Sequence, residues 1–210
     1  MDFFTSDQHF GHKNIIEFCN RPFSSVCEMD EAIVDRWNDV VGDEDTVYVV
    51  GDISFYNLGL TRRILGSLSG KKVLILGNHD KSYRRMKEAG FDEVYTRYEY
   101  SMPDGRKALL SHYPAPDSLI EHDILIHGHT HCKPGEAIKG KKFNVCVDAW
   151  DYRPVSLSTI LNTSMQPARN DSCTVSIQDG ILNINAKIHP EDAAGLFQHA
   201  KELIKESYNK

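Results

Sequence analysis

Five short apolar segments of the chain run directly into Asp, Asn or His. They are FFTSDQH at 3–9, TVYVVGD at 46–52, KVLILGNHD at 72–80, KALLSHY at 107–113 and DILIHGHTH at 123–131. Continuous apolar runs of this length are typical of strands that are buried on both faces of a sheet. The pattern therefore predicts a buried sheet whose strands end in polar side chains.

Segments with helical periodicity lie between and after the first three of these predicted strands. Apolar residues recur every three or four positions at Met29, Ile33 and Trp37, and acidic residues come early in the segment, which is typical of an amphipathic helix. The same pattern recurs over 60–68, and the segment 82–90 has Ser as a start signal and Gly as a stop signal. Strand and helix are therefore predicted to alternate through the first 90 residues.

The second half of the chain is richer in predicted strand. Residues 98–113 have the pattern of a hairpin that turns around 103–106, and residues 141–150 have the pattern of a further strand. Together with the earlier alternation, these elements predict an α/β or α+β sandwich in which helices lie outside the sheets.

The sequence changes character near Asn162. Residues 163–172 are polar, contain proline and show no periodicity, as expected for a linker. We therefore expect a main domain at 1–162 and a separate appendage at 173–210.

The appendage has the pattern of a hairpin followed by a helix. If the Asp-Gly pair at 179–180 forms a two-residue turn, Ile177 lies opposite Leu182. The helix has Pro190 in its first turn and carries an apolar stripe that includes Phe197. A ββα unit of this size is too small to fold alone. Its apolar face is expected to pack on the main domain or on another copy of the chain, which would make a homodimer.

The composition is that of an ordinary globular protein. The 210 residues are 40% hydrophobic, and no apolar run approaches the roughly 20 residues that cross a bilayer. The N-terminus lacks the features of a signal peptide, so we expect a cytoplasmic protein. The net charge of -6 argues against broad electrostatic binding to long nucleic acid.

The polar residues at the predicted strand ends have the chemistry of metal ligands. Carboxylate, carboxamide and imidazole groups without a thiolate suit divalent ions such as Mn²⁺, Fe²⁺ or Zn²⁺. One ion does not require so many ligands, whereas a pair of ions about 3.5–4 Å apart does, and such pairs hydrolyse phosphoesters. The candidate residues are Asp7, His9, Asp52, Asn78, His79, Asp80, His112, His127, His129 and His131.

The same residues form an ordered set of motifs. DQH, GD, GNHD, a lone His and GHTH follow one another along the chain, each after an apolar strand. In this order they resemble the five motifs of the calcineurin-like metallophosphoesterase superfamily, over residues 1–162. The segment SDQHFGHKNIIEFCNRPF is also similar to a subgroup of small bacterial and phage-encoded members. The resemblance implies a layered αββα metallophosphoesterase sandwich and does not extend to the appendage.

The resemblance also implies a dinuclear metal centre. One metal would be bound by Asp7, His9 and His131, the other by Asn78, His112 and His129, and Asp52 would bridge them. Mn²⁺ is the expected ion at both positions, with Fe²⁺, Zn²⁺ and Ni²⁺ as alternatives. A water or hydroxide shared by the two metals would attack phosphorus in line.

Two residues of the GNHD motif complete the implied mechanism. His79 would hold a phosphate oxygen and protonate the departing alkoxide. Asp80 would orient the imidazole of His79 and raise its pKa.

The spacing of the GHTH motif has a physical reason. Alternation carries His129 and His131 to the same side of an extended segment, and Gly128 lets the backbone come close to the ions. His127 shares that parity but precedes the ligand pair, so we interpret it as a packing or supporting residue.

The loop after the first motif offers two candidate substrate contacts. If this loop covers the site, His12 and Arg21 would contact a phosphate. The alternative for both is a solvated helix face. Asp148, near the end of a later strand, is interpreted as structural.

Three functions remain open at this point. The first is a dinuclear metal-dependent phosphoesterase that acts on small, nucleotide-like substrates, with phosphodiesters preferred and phosphomonoesters as an alternative. The second is a nuclease in DNA or RNA processing, against which the acidic charge counts. The third is a non-catalytic metal-binding scaffold, against which the complete ligand set counts.

Overall fold

Two five-stranded sheets form most of the described part of the protein, which is represented by a computed structural model. The structure describes residues 1–163, 172–178, 181–188 and 190–208. In chain order the strands are β1 (Asp2–Thr5), β2 (Thr46–Val49), β3 (Lys71–Ile75), β4 (Glu93–Tyr95), β5 (Tyr98–Ser101), β6 (Lys107–Leu110), β7 (Ile124–His127), β8 (Ile138–Lys139), β9 (Lys142–Asn144), β10 (Val155–Ser156), β11 (Ser172–Gln178) and β12 (Ile181–Lys187).

The helices lie between or after these strands. The described residues form six α-helices, namely α1 (Ile15–Phe18), α2 (Val26–Asn38), α3 (Leu58–Ser67), α4 (Tyr83–Ala89), α5 (Leu157–Asn162) and α6 (Ala193–Tyr208). Short 3-10 turns occupy Asp117–Leu119, Val147–Ala149 and Pro190–Asp192. The alternation of strand and helix in the first 90 residues and the α/β fold class are thus confirmed.

The first sheet has the order β10-β1-β2-β3-β4, and the second has the order β5-β6-β7-β9-β8. Strands β1 to β4 pair in parallel, as do β6 with β7 and β7 with β9. All four residues of β7 are buried. This burial explains the uninterrupted apolar runs, because a strand covered on both faces has no solvent side that needs polar residues.

The two sheets share an apolar core. Phe4 and Ile75 of the first sheet and Leu110, Ile126 and Phe143 of the second belong to one buried cluster. The opposite face of the first sheet is covered by helices, in a second cluster that joins Phe3, Val49 and Leu74 to Met29, Trp37, Leu65 and Met86. The main domain therefore has helix, sheet and sheet in successive layers.

Local signals place the helices where the sequence predicts them. In α2, Met29, Ile33 and Trp37 are all buried, and the side chain of Ser25 accepts a hydrogen bond from the backbone of Glu28 at the helix start. Helix α4 is preceded by Ser82 and is followed by Gly90, which has a φ of +118° and terminates the helix.

The strand predicted over 141–150 is shorter than expected. Strand β9 ends at Asn144, and the chain then forms the 3-10 turn Val147–Ala149. The side chain of Asn144 accepts from the backbone of Cys146 at 2.8 Å, and Trp150 Nε1 donates to the carbonyl of Asn144 at 2.8 Å. These bonds give the backbone N–H of Cys146 and the carbonyl of Asn144 partners within the turn. In a longer strand, the same backbone groups would have needed a neighbouring strand as partner.

The appendage contains the predicted hairpin and helix. Strands β11 and β12 pair antiparallel with Ile177 opposite Leu182, as predicted, whereas the turn at 179–180 and most of the linker (164–171) lie outside the described residues. In α6, Leu196 and Ala200 are buried. The apolar stripe is narrower than predicted, because Phe197 is 60% exposed.

A buried ion pair fastens the appendage to the second sheet. Lys142 of β9 is 2% exposed, and its Nζ donates to both carboxylate oxygens of Asp192 at 2.8 Å. Asp117 Oδ1 lies 3.5 Å from the same Nζ. Helix α6 also approaches the main domain closely, since a Cβ atom on Gly195 would lie 1.6 Å from the carbonyl oxygen of Pro114.

Among the described residues, no helix is long and apolar enough to cross a membrane.

We expect Asp192→Asn to destabilise the protein by roughly 3 kcal/mol, because the change leaves the buried ammonium of Lys142 with only part of its counter-charge. The measurement is the free energy of unfolding in urea. Arg84→Ala is the control, since Arg84 forms an exposed pair with Glu88 that contributes at most about 0.5 kcal/mol. Equal stabilities of the two variants would contradict this assignment.

Candidate metal centre

The ends of five strands bring the predicted ligands to one place. Asp7 and His9 follow β1, Asp52 follows β2, and Asn78 follows β3, so they lie at the carboxyl edge of the first sheet. The carboxyl ends of parallel strands meet at one edge, which is where α/β proteins bind ligands. The second sheet contributes the ligands that follow β6 and β7, which are His112, His129 and His131.

Four of these ligands have a left-handed backbone. The φ angles are +60° at Asp7, +55° at His9, +59° at Asp52 and +67° at His129. Such conformations cost about 1–3 kcal/mol each for a residue with a Cβ atom, and they cluster at functional sites. Cross-strand hydrogen bonds hold them in place: Asp7 N donates to Gly51 O at 3.0 Å, and His9 N donates to Asp52 O at 3.1 Å.

Two glycines let the backbone pass close to the carboxylates. A Cβ atom on Gly77 would lie 2.2 Å from Asp52 Oδ1, and one on Gly128 would lie 2.5 Å from Asp7 Oδ2. A side chain at either position would therefore push a candidate ligand out of place. Gly128, predicted to bring the backbone near the site, lies directly against one of its carboxylates.

The first ligand cluster consists of Asp7, His9 and His131. The Nε2 atoms of His9 and His131 each lie 3.9 Å from Asp7 Oδ1. His9 Nε2 is buried and has no hydrogen-bond partner among the described residues. An unsatisfied buried nitrogen is costly, and a metal bound by these three side chains would satisfy it.

The second ligand cluster converges on the side chain of Asn78. Its Oδ1 lies 3.0 Å from His112 Nε2 and 3.0 Å from His129 Nδ1. The rings of the two histidines are 5.1 Å apart. A carboxamide oxygen and two imidazole nitrogens are thus gathered at one point, as the ligands of one divalent ion would be.

Asp52 lies between the two clusters. Its Oδ2 is 3.8 Å from His9 Nε2 on one side and 3.4 Å from His112 Nε2 on the other. Its Oδ1 accepts a hydrogen bond from the backbone of His79 at 2.9 Å, which fixes the carboxylate. Asp7, Asp52 and His112 also have ligand atoms within 4.8 Å of one another. Asp52 therefore faces both clusters, and its carboxylate would be within reach of a metal ion held by either one.

Outer hydrogen bonds orient the imidazoles. His112 Nδ1 donates to the carbonyl of Val50 at 2.9 Å, and His131 Nδ1 donates to Asp148 Oδ2 at 2.7 Å. Each ring thereby directs Nε2 toward the carboxylates of the site. Such supporting bonds fix the tautomer of metal-binding histidines.

The carboxylates raise the pKa of two histidines. Burial alone would lower the pKa of His112, but the hydrogen bond to Asp52 and the nearby charge of Asp7 raise it to about 9. Burial likewise opposes protonation of His131, while the hydrogen bond to Asp148 raises its pKa to about 10. In the metal-free protein both rings are therefore cationic at neutral pH.

His79 lies at the mouth of the site. Its Nε2 is 4.0 Å from Asp52 Oδ2, and its side chain is 45% exposed. The ring packs against Phe55, with the centroids 4.8 Å apart. His79 is therefore next to the ligands, while its imidazole remains open to solvent and to a substrate.

Asp80 does not have the predicted role. Its carboxylate accepts hydrogen bonds from the backbone N–H groups of Asp52, Ile53 and Gly77, at 2.8–3.1 Å. No hydrogen bond joins it to the His79 imidazole in the described part of the chain. Burial raises the pKa of Asp80, although the three N–H groups act in the opposite direction. Asp80 positions the loops that carry Asp52 and Asn78, and it does not orient the imidazole.

Arg21 also differs from the prediction. The residue is 4% exposed, and its N–H groups donate to Asp148, to the carbonyls of Asp7 and Gln8, and to Met29 Sδ. With all five N–H groups directed at protein acceptors, the guanidinium has none left for a phosphate. Arg21 instead binds backbone carbonyls of the loop that follows β1 and the carboxylate of Asp148, which supports His131.

The importance of Asp148 was missed in the sequence. Burial would raise its pKa, but the hydrogen bond from His131 and the charge of Arg21 lower it to about 2. Cys19 also places its thiol within 4.8 Å of ligand atoms of His131 and Asp148. Asp148 follows the last ligand by 17 residues, outside any recognisable motif, so only the fold shows this contact.

Aromatic rings form the rim of the site. Phe55 is 38% exposed and stacks on His12 with centroids 4.0 Å apart, and it also lies 5.3 Å from the His9 ring. His12 is partly exposed beside the site, which is compatible with its predicted contact to substrate. Phe55 was not predicted as a site residue, although the sequence shows it as an aromatic residue in the loop that follows Asp52.

His127 is buried and donates from Nδ1 to the carbonyl of Gly128 at 2.9 Å, in agreement with a packing role.

Comparison with known proteins finds relatives whose names state no activity. An uncharacterised protein of Methanocaldococcus jannaschii, MJ1445, is 40% identical and aligns with 74% of this chain and 86% of its own. The gene 66 proteins of Mycobacterium phages L5 and D29 are 34% and 32% identical, over 70% of this chain and 86% and 87% of theirs. The chain belongs to the family that these proteins form. No family model matches it.

A solved structure has a related fold. The crystal structure of a protein of unknown function from Aquifex aeolicus, AQ665, matches with a TM-score of 0.63 and 33% sequence identity. The match covers 97% of that chain and 76% of this one. The Aquifex protein is therefore similar over nearly its whole length, and about a quarter of the present chain lies outside the match.

We expect Mn²⁺ to stabilise protein that has been stripped of metal by a chelator. A ligand at 100 times its Kd stabilises the folded state by about 2.7 kcal/mol. Asp52→Asn should lose most of this effect, because Asp52 faces both ligand clusters. Asp43→Asn is the matched control, since Asp43 is exposed in a loop. The measurement is thermal unfolding with and without Mn²⁺, and equal shifts in both variants would contradict the shared position of Asp52.

Metal binding should also release protons. Because the pKa values of His112 and His131 are raised to about 9 and 10, each must lose a proton to bind a metal at neutral pH. Affinity for Mn²⁺ should therefore fall as the pH is lowered from about 8 to about 6. Calorimetric titration in buffers of different ionisation enthalpy measures the released protons. Asp148→Asn should release fewer than the wild type, and an unchanged number would show that Asp148 does not control the charge of His131.

Proposed function

We propose that the protein is a dinuclear metal-dependent phosphoesterase of the calcineurin-like metallophosphoesterase type. The observation that carries the proposal is the position of Asp52 Oδ2, which lies 3.8 Å from His9 Nε2 and 3.4 Å from His112 Nε2. One carboxylate between two imidazole-containing clusters is the arrangement that two adjacent divalent ions require. The orphaned Nε2 of His9 supports the same conclusion.

In this proposal one ion lies on each side of Asp52. Mn²⁺ is the proposed metal, with Fe²⁺, Zn²⁺ and Ni²⁺ as alternatives, because mixed oxygen and imidazole ligands accept all of them and availability selects. When bound, such a pair supplies an activated water and stabilises charge on the phosphoryl oxygens. The first ion would be held by Asp7, His9 and His131, and the second by Asn78, His112 and His129.

His79 is the proposed general acid. It follows Asn78 directly, so its backbone is fixed by the bond to Asp52, while its imidazole projects to the mouth of the site. Packing against Phe55 limits the orientations of the ring. From this position His79 can hold a phosphate oxygen and pass a proton to the leaving alkoxide, which typically contributes 10²–10⁴-fold.

The rim of the site favours small phosphodiesters. Exposed aromatic surface at Phe55 and the partly exposed His12 border the cleft. An uncharged ester substituent can lie against such surface, whereas a phosphomonoester would require additional cations, and Arg21 is already fully engaged. The net charge of -6 argues against a nuclease that acts on long nucleic acid. The cytoplasmic location and the homodimer through the appendage stay predictions.

The test is hydrolysis by metal-stripped protein to which Mn²⁺ is restored. The substrates are a nitrophenyl phosphodiester, a nitrophenyl phosphomonoester and a 2′,3′-cyclic nucleotide. We expect turnover of the diester or the cyclic nucleotide, and loss of turnover in Asp52→Asn. Hydrolysis of the monoester alone would make the enzyme a phosphatase. Binding of two metals without any turnover would support the scaffold alternative.

His79→Ala should separate acid catalysis from metal binding. We expect the variant to bind Mn²⁺ normally and to lose about 10²–10⁴-fold in kcat for a poor alkoxide leaving group. The loss should be smaller for a nitrophenyl leaving group, which departs without a proton. His122→Ala is the control, because His122 lies in the bend before β7, beside Glu99. Equal losses for both leaving groups would remove His79 from the role of acid.

A further inference from the structure

A groove of about 830 Å³ opens beside the metal ligand His131. Its walls come from three separate segments, namely residues 18–20 and 22 at the end of helix α1, residues 131–134 beginning with the last His of the GHTH motif, and residues 148–152 at the 3-10 turn Val147–Ala149. Cavities of about 300–1,000 Å³ are typical of small-molecule sites. The groove is continuous with the proposed active site at His131, and His79 is not among its described lining residues.

The backbone of the groove shares an unusual property with the metal centre. Seven described residues other than glycine have a positive φ. Four of them are the candidate ligands discussed above, and the other three, Asn20, Asp151 and Tyr152, all line the groove. Because such conformations are costly and concentrate at functional sites, this distribution indicates that the groove and the metal centre belong to one binding surface.

Phe18 supplies an exposed aromatic face in the groove. Its side chain is 73% exposed, which is unusual for a phenylalanine, and its ring lies 6.3 Å from that of His12 in an edge arrangement. The ring is therefore next to the rim of the site but takes almost no part in the core. Polar groups that can contact a nucleotide lie on the same walls, at the exposed residues Asn20 and Lys133.

We propose that this groove binds the nucleoside part of a phosphodiester substrate, with the base stacked on Phe18. The inference rests on the proposed phosphoesterase function and specifies its substrate class. Because the groove begins at His131 and the proposed acid His79 is elsewhere on the rim, the groove holds the ester group that stays on phosphorus. The carboxamide of Asn20 is suited to the edge of the base, and the ammonium of Lys133 to a further phosphate.

Two substrates with the same leaving group test the proposal. They are thymidine 5′-(4-nitrophenyl) phosphate and methyl 4-nitrophenyl phosphate, which differ only in the retained ester group. The wild type should prefer the nucleoside ester in kcat/KM. Phe18→Ala should reduce that preference roughly tenfold, in line with the stacking of a base on an aromatic ring, and Phe18→Tyr should retain it.

Phe197→Ala is the matched control, because Phe197 is also a largely exposed phenylalanine but lies on the appendage helix. Its preference for the nucleoside ester should equal that of the wild type. A wild-type enzyme with no preference, or a Phe18→Ala variant with an unchanged preference, would overturn the assignment of the groove.

A binding measurement distinguishes failure of the groove proposal from failure of the proposed phosphoesterase function. If the wild type hydrolyses neither ester, the phosphoesterase assignment has failed, and the groove is then tested with thymidine 5′-monophosphate and Mn²⁺. Trp150 lines the groove, whereas the other tryptophan, Trp37, belongs to helix α2 and is fully buried. Saturable quenching of tryptophan fluorescence that is weakened in Phe18→Ala would support a nucleotide site. An absence of quenching in the wild type would refute it.

Discussion

The carboxylate of Asp52 is the point on which the rest of the site depends. It lies where the carboxyl edges of two sheets meet, with His9 on one side and His112 on the other. A carboxylate placed among buried polar groups must be held firmly, because a small displacement would leave several of them unsatisfied. Asp80 provides part of that support by accepting three backbone N–H groups, two of which belong to Asp52 and its neighbour Ile53.

The strain at the site is balanced by packing elsewhere. Left-handed backbones at Asp7, His9, Asp52 and His129 are individually unfavourable. They persist because the strands that precede them are buried in a continuous core between the sheets, and because Gly77 and Gly128 leave room for the carboxylates. The apolar runs and the polar residues that follow them therefore depend on each other. The buried strands supply the rigidity that the loops with the candidate ligands require.

Charge is distributed around the site in linked pairs. Arg21 neutralises Asp148, Asp148 holds the proton on His131, and His131 directs Nε2 toward Asp7. The chain of contacts connects the loop after α1 to the 3-10 turn Val147–Ala149, and both segments are also walls of the groove. The residues that orient His131 therefore also shape the surface proposed to receive the substrate.

The sequence by itself determined the elements and the candidate ligands. Apolar runs and helical periodicity located the strands and helices, and the motifs located Asp7, His9, Asp52, Asn78, His112, His129 and His131, because these signals are local in the chain. Only the tertiary structure decided how Arg21, Asp80 and Asp148 act. Their partners are distant in sequence or are backbone groups, and a charged side chain carries no local sign of whether it faces a substrate or a buried acceptor. The exposed face of Phe197 and the groove at Phe18 were likewise decided by packing, which depends on what the fold brings against each side chain.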